Sequence, residues 1–586
     1  MKYILRINMN DRSYRFEDVP EKYKLLGGRG LTSNIVYDEV SPTVHPLGPN
    51  NKIVFAPGIV TGTNASTSGR ISVGAKSPLT GGIKESNAGS SFPQDLARMG
   101  IKAIIIEGYQ QDDKYWLIHI KWDKEKGMPS VEFLPADEYV GRGLYEVFPE
   151  LHARFGKHIS ISGIGIAGER RYLNSGVVFN DIDGRPSRYS GRGGLGGVLG
   201  SKGVKFIITD RSGAPRVPLA DPALFEKGRK KLVDALREHP ITKPGGGLNA
   251  LGTAVLVNII NEVGGLPTRN FRSGRFEGAA KISGEAMAQM VKERGGGRMG
   301  HPCHPGCIIQ CSNIIPYPDG TEHVSVIEYE TTWAFGANCG IDDLDVIAEL
   351  TRLSNDYGMD TIEMGGTIAV AMEAGLAEFG DGEKAIELMH EVGKGTPLGR
   401  ILGSGAAVTG KVFGVIRVPG VKGQNMPAYE PRAIKGIGVT YATTPMGADH
   451  TAGYTIAPEA LSSGGQADPL AVEGKDELSR AFQATTAFID STGHCLFIAF
   501  AILDIPTGFE GVMEECNGVL GTNWTVEDAP KIGAEILKVE RKFNEAAGFT
   551  KAHDRLPEFM YYEKLPPHNV TFDVPDEELD AVFEKL

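Results

Sequence analysis

Alternating and β-branched apolar runs dominate the first third of the chain. Seven such runs, each bounded by Gly, Pro, Asn or Asp, predict strands: KYILRINM, NKIVFAPGIV, GRISVGAKS, KAIIIEG, KYWLIHIKW, KHISISGIG and VKFIITD. The helical segments between them are short, and SFPQDLARMG is an example. The pattern therefore predicts a β-rich domain over residues 1–211.

The periodicity changes after a Pro- and Gly-rich stretch, Ser212 to Pro222, which is typical of a linker. Beyond it, apolar residues recur at i, i+3 and i+4, the spacing of amphipathic helices. This spacing occurs in ALFEKGRKKLVDALREHP, EAMAQMVKERG, LDVIAELTRLSNDYG, TIEMGGTIAVAMEAGLAEFG, GEKAIELMHEVGKG, DELSRAFQATTAFIDST and TVEDAPKIGAEILKVERKFNEAAG. A second boundary falls within Gly403 to Arg432. We expect an α+β protein, with the β-rich domain followed by two mostly α-helical domains over residues 212–410 and 411–586.

Glycine is the unusual feature of the composition. The 586 residues include 77 glycines, about 13% against a usual value of roughly 7%. They form short clusters within apolar sequence. Such clusters indicate tight turns, or backbone that closely approaches a large ligand where a side chain would obstruct it.

Charge and hydropathy exclude several classes of protein. The formal net charge of −12 argues against nonspecific nucleic-acid binding. No apolar run reaches the roughly 18 residues of a membrane-spanning helix, and FIAFAILDI is too short. The segment MKYILRINMNDRS predicts a strand and a turn rather than a signal peptide. We therefore expect a cytoplasmic protein without a membrane span, in which six unevenly spaced cysteines do not form disulfides.

Three of the six cysteines lie in HPCHPGCIIQCSN, at Cys303, Cys307 and Cys311. Structural zinc sites usually pair one C-x2-4-C with a second such pair, which is missing here. Three local cysteines plus a remote one are common for iron–sulfur clusters, and soft thiolate ligands suit iron. The spacing favours a [4Fe-4S] cluster and leaves zinc and ordinary free cysteines as alternatives. Cys495, in the polar and Gly-broken FIDSTGHCLF, is a better remote ligand than Cys339 or Cys516.

Several longer motifs occur in a specific order along nearly the whole chain. They are GGRGLTSNIVYDEV, APGIVTGTNASTSGRISVGAKSPLTGGIKESNAG, GVVFNDIDGRPSRYSGRGGLGGVLGSKG, the cysteine cluster, EYET, two D-x-x-G-like elements and the remote cysteine. The ordered set resembles the tungsten-dependent aldehyde:ferredoxin oxidoreductase family. The resemblance implies that the β-rich domain binds a bis-pterin tungsten cofactor and that two helical domains cover it beside a [4Fe-4S] cluster. It leaves molybdenum open as the metal.

The resemblance also implies roles for particular residues. The cluster ligands would be Cys303, Cys307, Cys311 and Cys495, although the local spacing is C-x3-C-x3-C where the family has C-x2-C-x3-C. The paired pterin-binding elements would be Asn355-Asp-Tyr-Gly358-Met-Asp360, with Asn replacing the usual first Asp, and Asp490-Ser-Thr-Gly493-His494-Cys495.

Further cofactor contacts come from the N-terminal motifs. Asn87 corresponds to the family's asparagine near a magnesium ion that joins the pterin phosphates. Arg70 and Arg192, the latter followed by Gly193, would contact phosphate or pterin, because the planar guanidinium suits both.

The catalytic acid/base residues would be Glu328 and His450, with the neighbouring Glu330 as an alternative to Glu328. In the implied mechanism Glu328 takes a proton from water as it attacks the aldehyde carbon, and His450 hydrogen-bonds the carbonyl oxygen or relays the proton. The family's E-x-x-H iron site at a subunit interface is replaced by Glu349-Leu-Thr-Arg352, so no interface iron is expected.

The resemblance predicts oxidation of aldehydes to carboxylic acids, with electrons passing to ferredoxin or to an iron–sulfur subunit, with or without a flavin subunit beyond it. An oligomer or multi-subunit complex is expected. One alternative is a class II benzoyl-CoA reductase-type catalytic subunit, and another is a non-catalytic electron-transfer or zinc-stabilised subunit. A dinucleotide site at GIGIAGER is a weaker alternative, because no clear helix follows the motif.

Overall fold

The computed structural model describes residues 1–586. Its strands are β1 (Tyr3–Asn8), β2 (Ser13–Asp18), β3 (Ile53–Pro57), β4 (Arg70–Lys76), β5 (Ile83–Gly89), β6 (Ile101–Glu107), β7 (Trp116–Asp123), β8 (Met128–Pro135), β9 (Ser160–Gly163), β10 (Val177–Phe179), β11 (Arg188–Ser190), β12 (Val204–Asp210), β13 (Arg298–His301), β14 (Ser312–Pro316), β15 (Glu322–Val324), β16 (Gly420–Val421) and β17 (Gln424–Asn425). Twelve of these seventeen precede residue 211, which confirms the β-rich N-terminal part.

The helices are α1 (Gly28–Glu39), α2 (Phe92–Arg98), α3 (Leu144–Phe155), α4 (Ile166–Glu169), α5 (Leu195–Ser201), α6 (Pro222–Glu238), α7 (Gly247–Leu251), α8 (Leu256–Val263), α9 (Gly284–Arg294), α10 (Tyr329–Phe335), α11 (Leu344–Tyr357), α12 (Thr361–Glu373), α13 (Gly382–Lys394), α14 (Pro397–Leu402), α15 (Ala406–Phe413), α16 (Lys435–Thr443), α17 (Ile456–Ala460), α18 (Lys475–Thr492), α19 (Ala499–Asp504), α20 (Pro506–Leu520), α21 (Asp528–Ala546) and α22 (Asp576–Glu584). The seven predicted long helices are confirmed as α6, α9, α11, α12, α13, α18 and α21. None of the helices is long and apolar enough to cross a membrane.

Two six-stranded sheets form the N-terminal part, in the orders β2-β1-β6-β3-β4-β5 and β11-β10-β9-β12-β7-β8. Side chains of both sheets pack in one apolar cluster between them, including Phe55 and Ile161. The first sheet is buried on its other face as well, where Val54 and Ile105 pack against Ile35 of α1. Burial on both faces explains why its central strands are continuous apolar runs rather than alternating ones.

The helical part has one continuous apolar core from Phe225 to Val582, and a few residues of the N-terminal part, such as Ile59 and Tyr172, join it. Helices on both sides of residue 410 contribute to it, such as α12 with Ile368 and α16 with Ile437. The division of this part into domains at residue 410 therefore stays a prediction. The segment between β12 and α6 contains only turns and irregular backbone.

Candidate active site

A cavity of about 380 Å³ lies between the N-terminal sheets and the helical part. Residues from all three predicted segments line it. The predicted site residues among them are Arg70, Asn87, Arg192, Cys303, Cys311, Glu328, Glu330, Asn355, Asp360, His450, Asp490 and Cys495. The fold thus brings together side chains that are spread over more than 400 residues of sequence, from Arg70 to Cys495.

Strand β5 presents Glu85 and Asn87 to the cavity because residues two apart on a strand share a face. Asn87 Oδ1 accepts a hydrogen bond from Arg70 Nε on the neighbouring strand β4 (2.6 Å), and Asn87 Nδ2 donates to Glu85 Oε1 (3.3 Å). No carboxylate lies within ion-pair distance of Arg70. Burial opposes its charge, but thiolates at Cys495 and Cys303 raise the pKa of Arg70. A buried cation without a carboxylate partner suits an anionic ligand group.

Arg192 is held by the protein itself. Its Nε donates to Asp360 Oδ2 (2.9 Å), and its Nη atoms donate to the carbonyl oxygens of Ala448 (2.9 Å) and Asn425 (2.8 Å). Asp360 is also the N-cap of α12, where Oδ1 accepts the N–H of Ile362 (3.0 Å). The pair therefore joins the loop after β11 to the helical part, and it leaves few Arg192 donors for a ligand.

The three local cysteines lie on irregular backbone between β13 and β14, and Cys495 follows the C-terminal end of α18. Thr67, in the loop before β4, contacts both segments. Its N–H donates to Gly306 O (3.0 Å), and its carbonyl oxygen accepts the N–H of Cys495 (2.9 Å). One residue of the N-terminal part thus positions both cysteine-bearing segments.

The four thiols are close enough to perturb one another's ionisation. Contact with Cys307, together with His304 Nδ1 at 3.0 Å, holds the pKa of Cys303 well below its usual value. Burial, Glu328 and the neighbouring thiolates of Cys495 and Cys303 raise the pKa of Cys311 well above it. Bound metal charge would relieve this repulsion between thiolates, so the donor set fits an iron–sulfur cluster or zinc. Cys339 and Cys516 are fully buried elsewhere in the helical core.

Glu330 and His450 face each other, with Oε1 and Nε2 separated by 3.3 Å. Burial raises the pKa of Glu330 to about 8, with Asp449 and Asp360 adding to the shift. Burial lowers the pKa of His450 to about 4. Near neutral pH the pair is therefore a protonated carboxyl beside a neutral imidazole, not an ion pair.

Glu328 points to a different part of the cavity. Its Oε2 accepts from Thr253 Oγ1 (2.5 Å), and its Oε1 accepts from Ser312 Oγ (3.2 Å), next to Cys311. Burial raises its pKa, and Arg188 opposes the shift. The two glutamates of EYET thus have different neighbours: cysteines for Glu328 and His450 for Glu330.

Asp490 belongs to a buried group of charges that joins distant parts of the chain. Its Oδ2 lies 3.2 Å from Arg29 Nη1, and Arg29 also forms a two-point ion pair with Glu540. Burial and repulsion from Glu85 raise the pKa of Asp490 to about 8. A protonated or weakly paired carboxyl at the cavity wall suits a neutral heterocycle with N–H donors.

Some predicted residues lie outside the cavity wall. Gly193, Gly358 and Gly493 have φ angles of +91°, +83° and +93°, a backbone conformation that residues with a side chain rarely adopt. His494 is buried between Ser66 O (3.1 Å) and Glu515 Oε2 (2.7 Å).

Asn355, in contrast, lines the cavity, and its Nδ2 donates to Tyr145 Oη (3.3 Å).

Sequence reasoning missed several residues of the site. Strand alternation from Asn87 could have found Glu85, and proximity in sequence could have found Asp449 beside His450. Arg29 and Arg188 lie within the ordered motifs GGRGLTSNIVYDEV and GVVFNDIDGRPSRYSGRGGLGGVLGSKG, which could have pointed to them. Tyr429 and Tyr454 carry no local signal, because packing of distant segments brings them to the cavity.

Two family models together match most of the chain. The family model "Aldehyde ferredoxin oxidoreductase, N-terminal domain" matches residues 4–211, and "Aldehyde ferredoxin oxidoreductase, domains 2 & 3" matches residues 227–585. The chain belongs to the aldehyde ferredoxin oxidoreductase family. It is an oxidoreductase of that family, and the resemblance drawn from the ordered motifs is confirmed.

Relatives in this family match nearly the whole chain. "Tungsten-containing aldehyde ferredoxin oxidoreductase" of Pyrococcus abyssi is 38% identical over 587 residues, covering 96% of this chain and 92% of that protein. The protein of the same name from Pyrococcus furiosus is 36% identical over 582 residues, covering 96% and 91%. "Aliphatic sulfonate oxidoreductase, WOR-like subunit" of Pyrococcus furiosus is 26% identical over 611 residues.

A solved structure shares the fold of this aldehyde ferredoxin oxidoreductase family member. "Active site complex BamBC of Benzoyl Coenzyme A reductase in complex with 1,5 Dienoyl-CoA" superposes with a TM-score of 0.81 and covers 100% of this chain and 94% of that chain. Its identity of 18% makes this a similarity of fold alone.

Proposed function

We propose that the chain is a tungsten-containing enzyme that oxidises aldehydes to carboxylic acids. The names of its relatives at 36–38% identity support this activity. The observation that carries the proposal is the Glu330–His450 pair, 3.3 Å apart in the cavity that Arg70, Cys303, Cys311 and Cys495 also line. The reaction consumes one water and releases two protons and two electrons for each aldehyde oxidised.

The cavity residues fit a bis-pterin group. Arg70 would bind phosphate or pterin, and Asp490 and Glu85 would accept hydrogen bonds from heterocycle N–H groups. Gly89 leaves space beside Arg70, since a Cβ there would come within 2.9 Å of Arg70 Nη1 and of Cys303 Sγ. When bound, the metal–pterin group supplies a Lewis acid and a two-electron acceptor. The proposal also includes a magnesium ion near Asn87. Molybdenum is the alternative to tungsten as the metal.

The Glu330–His450 pair would handle the protons. Neutral His450 can accept a proton from the attacking water, and protonated Glu330 can transfer its proton to the aldehyde oxygen. From the sequence we expect the glutamate to take the proton from water and the histidine to bind the carbonyl oxygen, so the two roles are reversed here. We propose Glu330 rather than Glu328 as the acid, because Glu330 is the one that faces His450.

The cysteine group would carry the electrons away. Cys303, Cys307, Cys311 and Cys495 would hold a [4Fe-4S] cluster, which would supply one-electron transfer toward ferredoxin or an iron–sulfur subunit, with or without a flavin subunit. Assembly into an oligomer or a complex in the cytoplasm remains part of this proposal.

The charges of the cavity argue against a coenzyme A thioester as the substrate. Its wall carries six carboxyl groups, at Glu85, Glu328, Glu330, Asp360, Asp449 and Asp490, against three arginines, at Arg70, Arg188 and Arg192. No lysine lines it. Arg70 is the arginine proposed for the cofactor, Arg192 is bonded to Asp360, and Arg188 lies 3.9 Å from Glu328. The cavity therefore offers no spare cation for the phosphates of a coenzyme A tail, which a neutral aldehyde does not need.

The proposal is tested by metal analysis of anaerobically purified protein, followed by an aldehyde panel with a viologen acceptor. We expect about one tungsten and four irons per chain, and aldehyde-dependent viologen reduction with release of the carboxylic acid. Zinc without tungsten or molybdenum would contradict the proposal. Full metal content with no aldehyde turnover would also contradict it.

A further inference from the structure

A second cavity, of about 150 Å³, adjoins the active-site cavity. Three side chains line both cavities: Tyr454, Leu496 and Phe497. We call the second cavity the annex. Its remaining wall is Ala457, Ala481, Phe482, Thr485, Thr486, Ile489, Ala499, Phe500, Ile502 and Leu503. The proposed activity does not by itself explain this space.

Two helices and one short segment form the annex. One face of α18 contributes residues at i, i+1, i+4, i+5 and i+8 from Ala481 to Ile489. Helix α19 faces it with Phe500 and Leu503. The rings of Phe497 and Phe500 stack with centroids 5.8 Å apart, and Tyr454 packs edge-on against Phe500 at 6.2 Å. Aromatic packing of this kind gives the annex a defined shape.

The annex is apolar, in contrast to the cavity beside it. No charged side chain lines it, and its polar side chains are Thr485, Thr486 and Tyr454. The Tyr454 hydroxyl is already bonded to Tyr429 Oη (2.6 Å). An apolar pocket of about 150 Å³ has room for a benzene-sized group.

Tyr454 also connects the annex to the proton-handling pair. Its ring centroid lies 6.2 Å from that of His450. A group in the annex would therefore be attached to a reacting carbon only a few bonds away, beside His450 and Glu330.

We propose that the annex binds the apolar substituent of the substrate, so that the preferred substrates are aldehydes with a phenyl group or a linear chain of about six carbons. The inference rests on the proposed aldehyde oxidation and adds its substrate class. Each methylene that leaves water for the annex strengthens binding about fourfold. Aldehydes with a carboxylate or phosphate on that end are disfavoured, because an unpaired charge would enter an apolar space.

The test compares kcat/KM for acetaldehyde, butanal, hexanal, octanal and benzaldehyde on the metal-loaded enzyme. We expect a rise of about fourfold per methylene up to hexanal, followed by a plateau or fall at octanal. Thr485→Phe fills the annex and should lower the hexanal-to-acetaldehyde ratio of kcat/KM at least tenfold. Phe482→Ala enlarges it and should move the optimum to a longer chain. Thr507→Phe is the matched control on the exposed start of α20 and should leave the ratio unchanged.

Xenon-pressurised crystals provide a readout that does not depend on turnover. We expect xenon density between Ile489 and Phe500 in the wild type and none in Thr485→Phe. The proposed role of the annex would be overturned if kcat/KM did not change with chain length, or if Thr485→Phe left the hexanal-to-acetaldehyde ratio of kcat/KM unchanged. Neither result would contradict aldehyde oxidation itself. A loaded enzyme that oxidises no aldehyde would instead overturn the proposed function, and the annex inference with it.

Discussion

Glu330 and His450 differ from ordinary surface residues because burial acts on them in opposite directions. Removing a carboxylate from water favours its protonated form, and removing an imidazolium favours the neutral form. The pKa of Glu330 is therefore raised to about 8, and that of His450 is lowered to about 4. Between about pH 4 and pH 8 the pair therefore carries one proton on Glu330 and no charge on His450, whereas an exposed glutamate and histidine would ionise separately.

Replacing each glutamate of EYET separately distinguishes their roles. We expect Glu330→Gln to lower kcat/KM by about 10²-fold or more, because the amide can donate a hydrogen bond but cannot transfer a proton. Glu328→Gln keeps an acceptor for the Thr253 hydroxyl and should cost less than about tenfold. Steady-state kinetics at matched tungsten content would check this. A larger loss for Glu328→Gln would return the acid/base role to Glu328.

The same pair predicts the pH dependence of kcat/KM. The productive state, protonated Glu330 with neutral His450, exists above about pH 4 and below about pH 8. Because the pKa of Glu330 is raised, the activity should fall as pH increases through about 8, by about tenfold per unit. A pH series on the wild type and on Glu330→Gln would show whether the basic limb is lost in the variant. If kcat/KM of Glu330→Gln still fell above about pH 8, the fall would belong to another group, such as Asp490.

At the scale of elements, the end of α18 is bound to the N-terminal part by backbone hydrogen bonds. Ile59 and Val60 donate N–H groups to the carbonyl oxygens of Ser491 (3.1 Å) and Thr492 (2.9 Å). Arg70 N–H donates to Gly493 O (3.2 Å). This pairing sets the position of Asp490 and Cys495 relative to β4, and it requires very close approach of the two backbones.

Gly58→Ala should disrupt this pairing. A Cβ on Gly58 would overlap the Cα and N atoms of Gly493. Because the obstacle is backbone, the end of α18 must move, and we expect a loss of about 1–3 kcal/mol in stability together with lower tungsten and iron content. Gly247→Ala is the matched control, since its Cβ would meet Val255 at an ordinary 3.7 Å. Thermal unfolding and metal analysis would check both variants, and normal metal content in Gly58→Ala would contradict the prediction.

At the scale of the whole molecule, Arg29 and Glu540 connect α1 of the N-terminal part with α21 near the other end of the chain. Both side chains are almost completely buried, and Nη2 and Oε1 are 2.7 Å apart. Ser33 Oγ donates to the same carboxylate at 2.8 Å. A buried pair of this kind contributes little net stability over an apolar pair, but it strongly penalises loss of one partner.

Arg29→Met should therefore destabilise the protein by about 3–5 kcal/mol, because it leaves Glu540 buried without its cation. The double variant Arg29→Met/Glu540→Met should recover much of that loss, since no unpaired charge remains. Denaturant unfolding of both variants would measure the difference. Equal destabilisation in the single and double variants would show that packing, not the unpaired charge, determines the effect.

The β-rich beginning, the long helices of the second part and the family could all be predicted from the amino-acid sequence. Apolar alternation and i, i+4 periodicity are local, so they predicted strands such as β4 and helices such as α18 without tertiary information. The ordered motifs likewise named most of the residues, from Arg70 to Cys495, that the fold brings to one cavity.

The tertiary structure decided the rest. Glu328 and Glu330 are two residues apart, and no sequence pattern says which one meets His450 more than a hundred residues later. The Arg29–Glu540 pair, the role of Thr67 between the cysteine segments and the annex between α18 and α19 all arise from packing of distant segments. Burial produced by that packing also sets the pKa values of Glu330 and His450. Local sequence carries periodicity, whereas proximity and desolvation exist only in the folded chain.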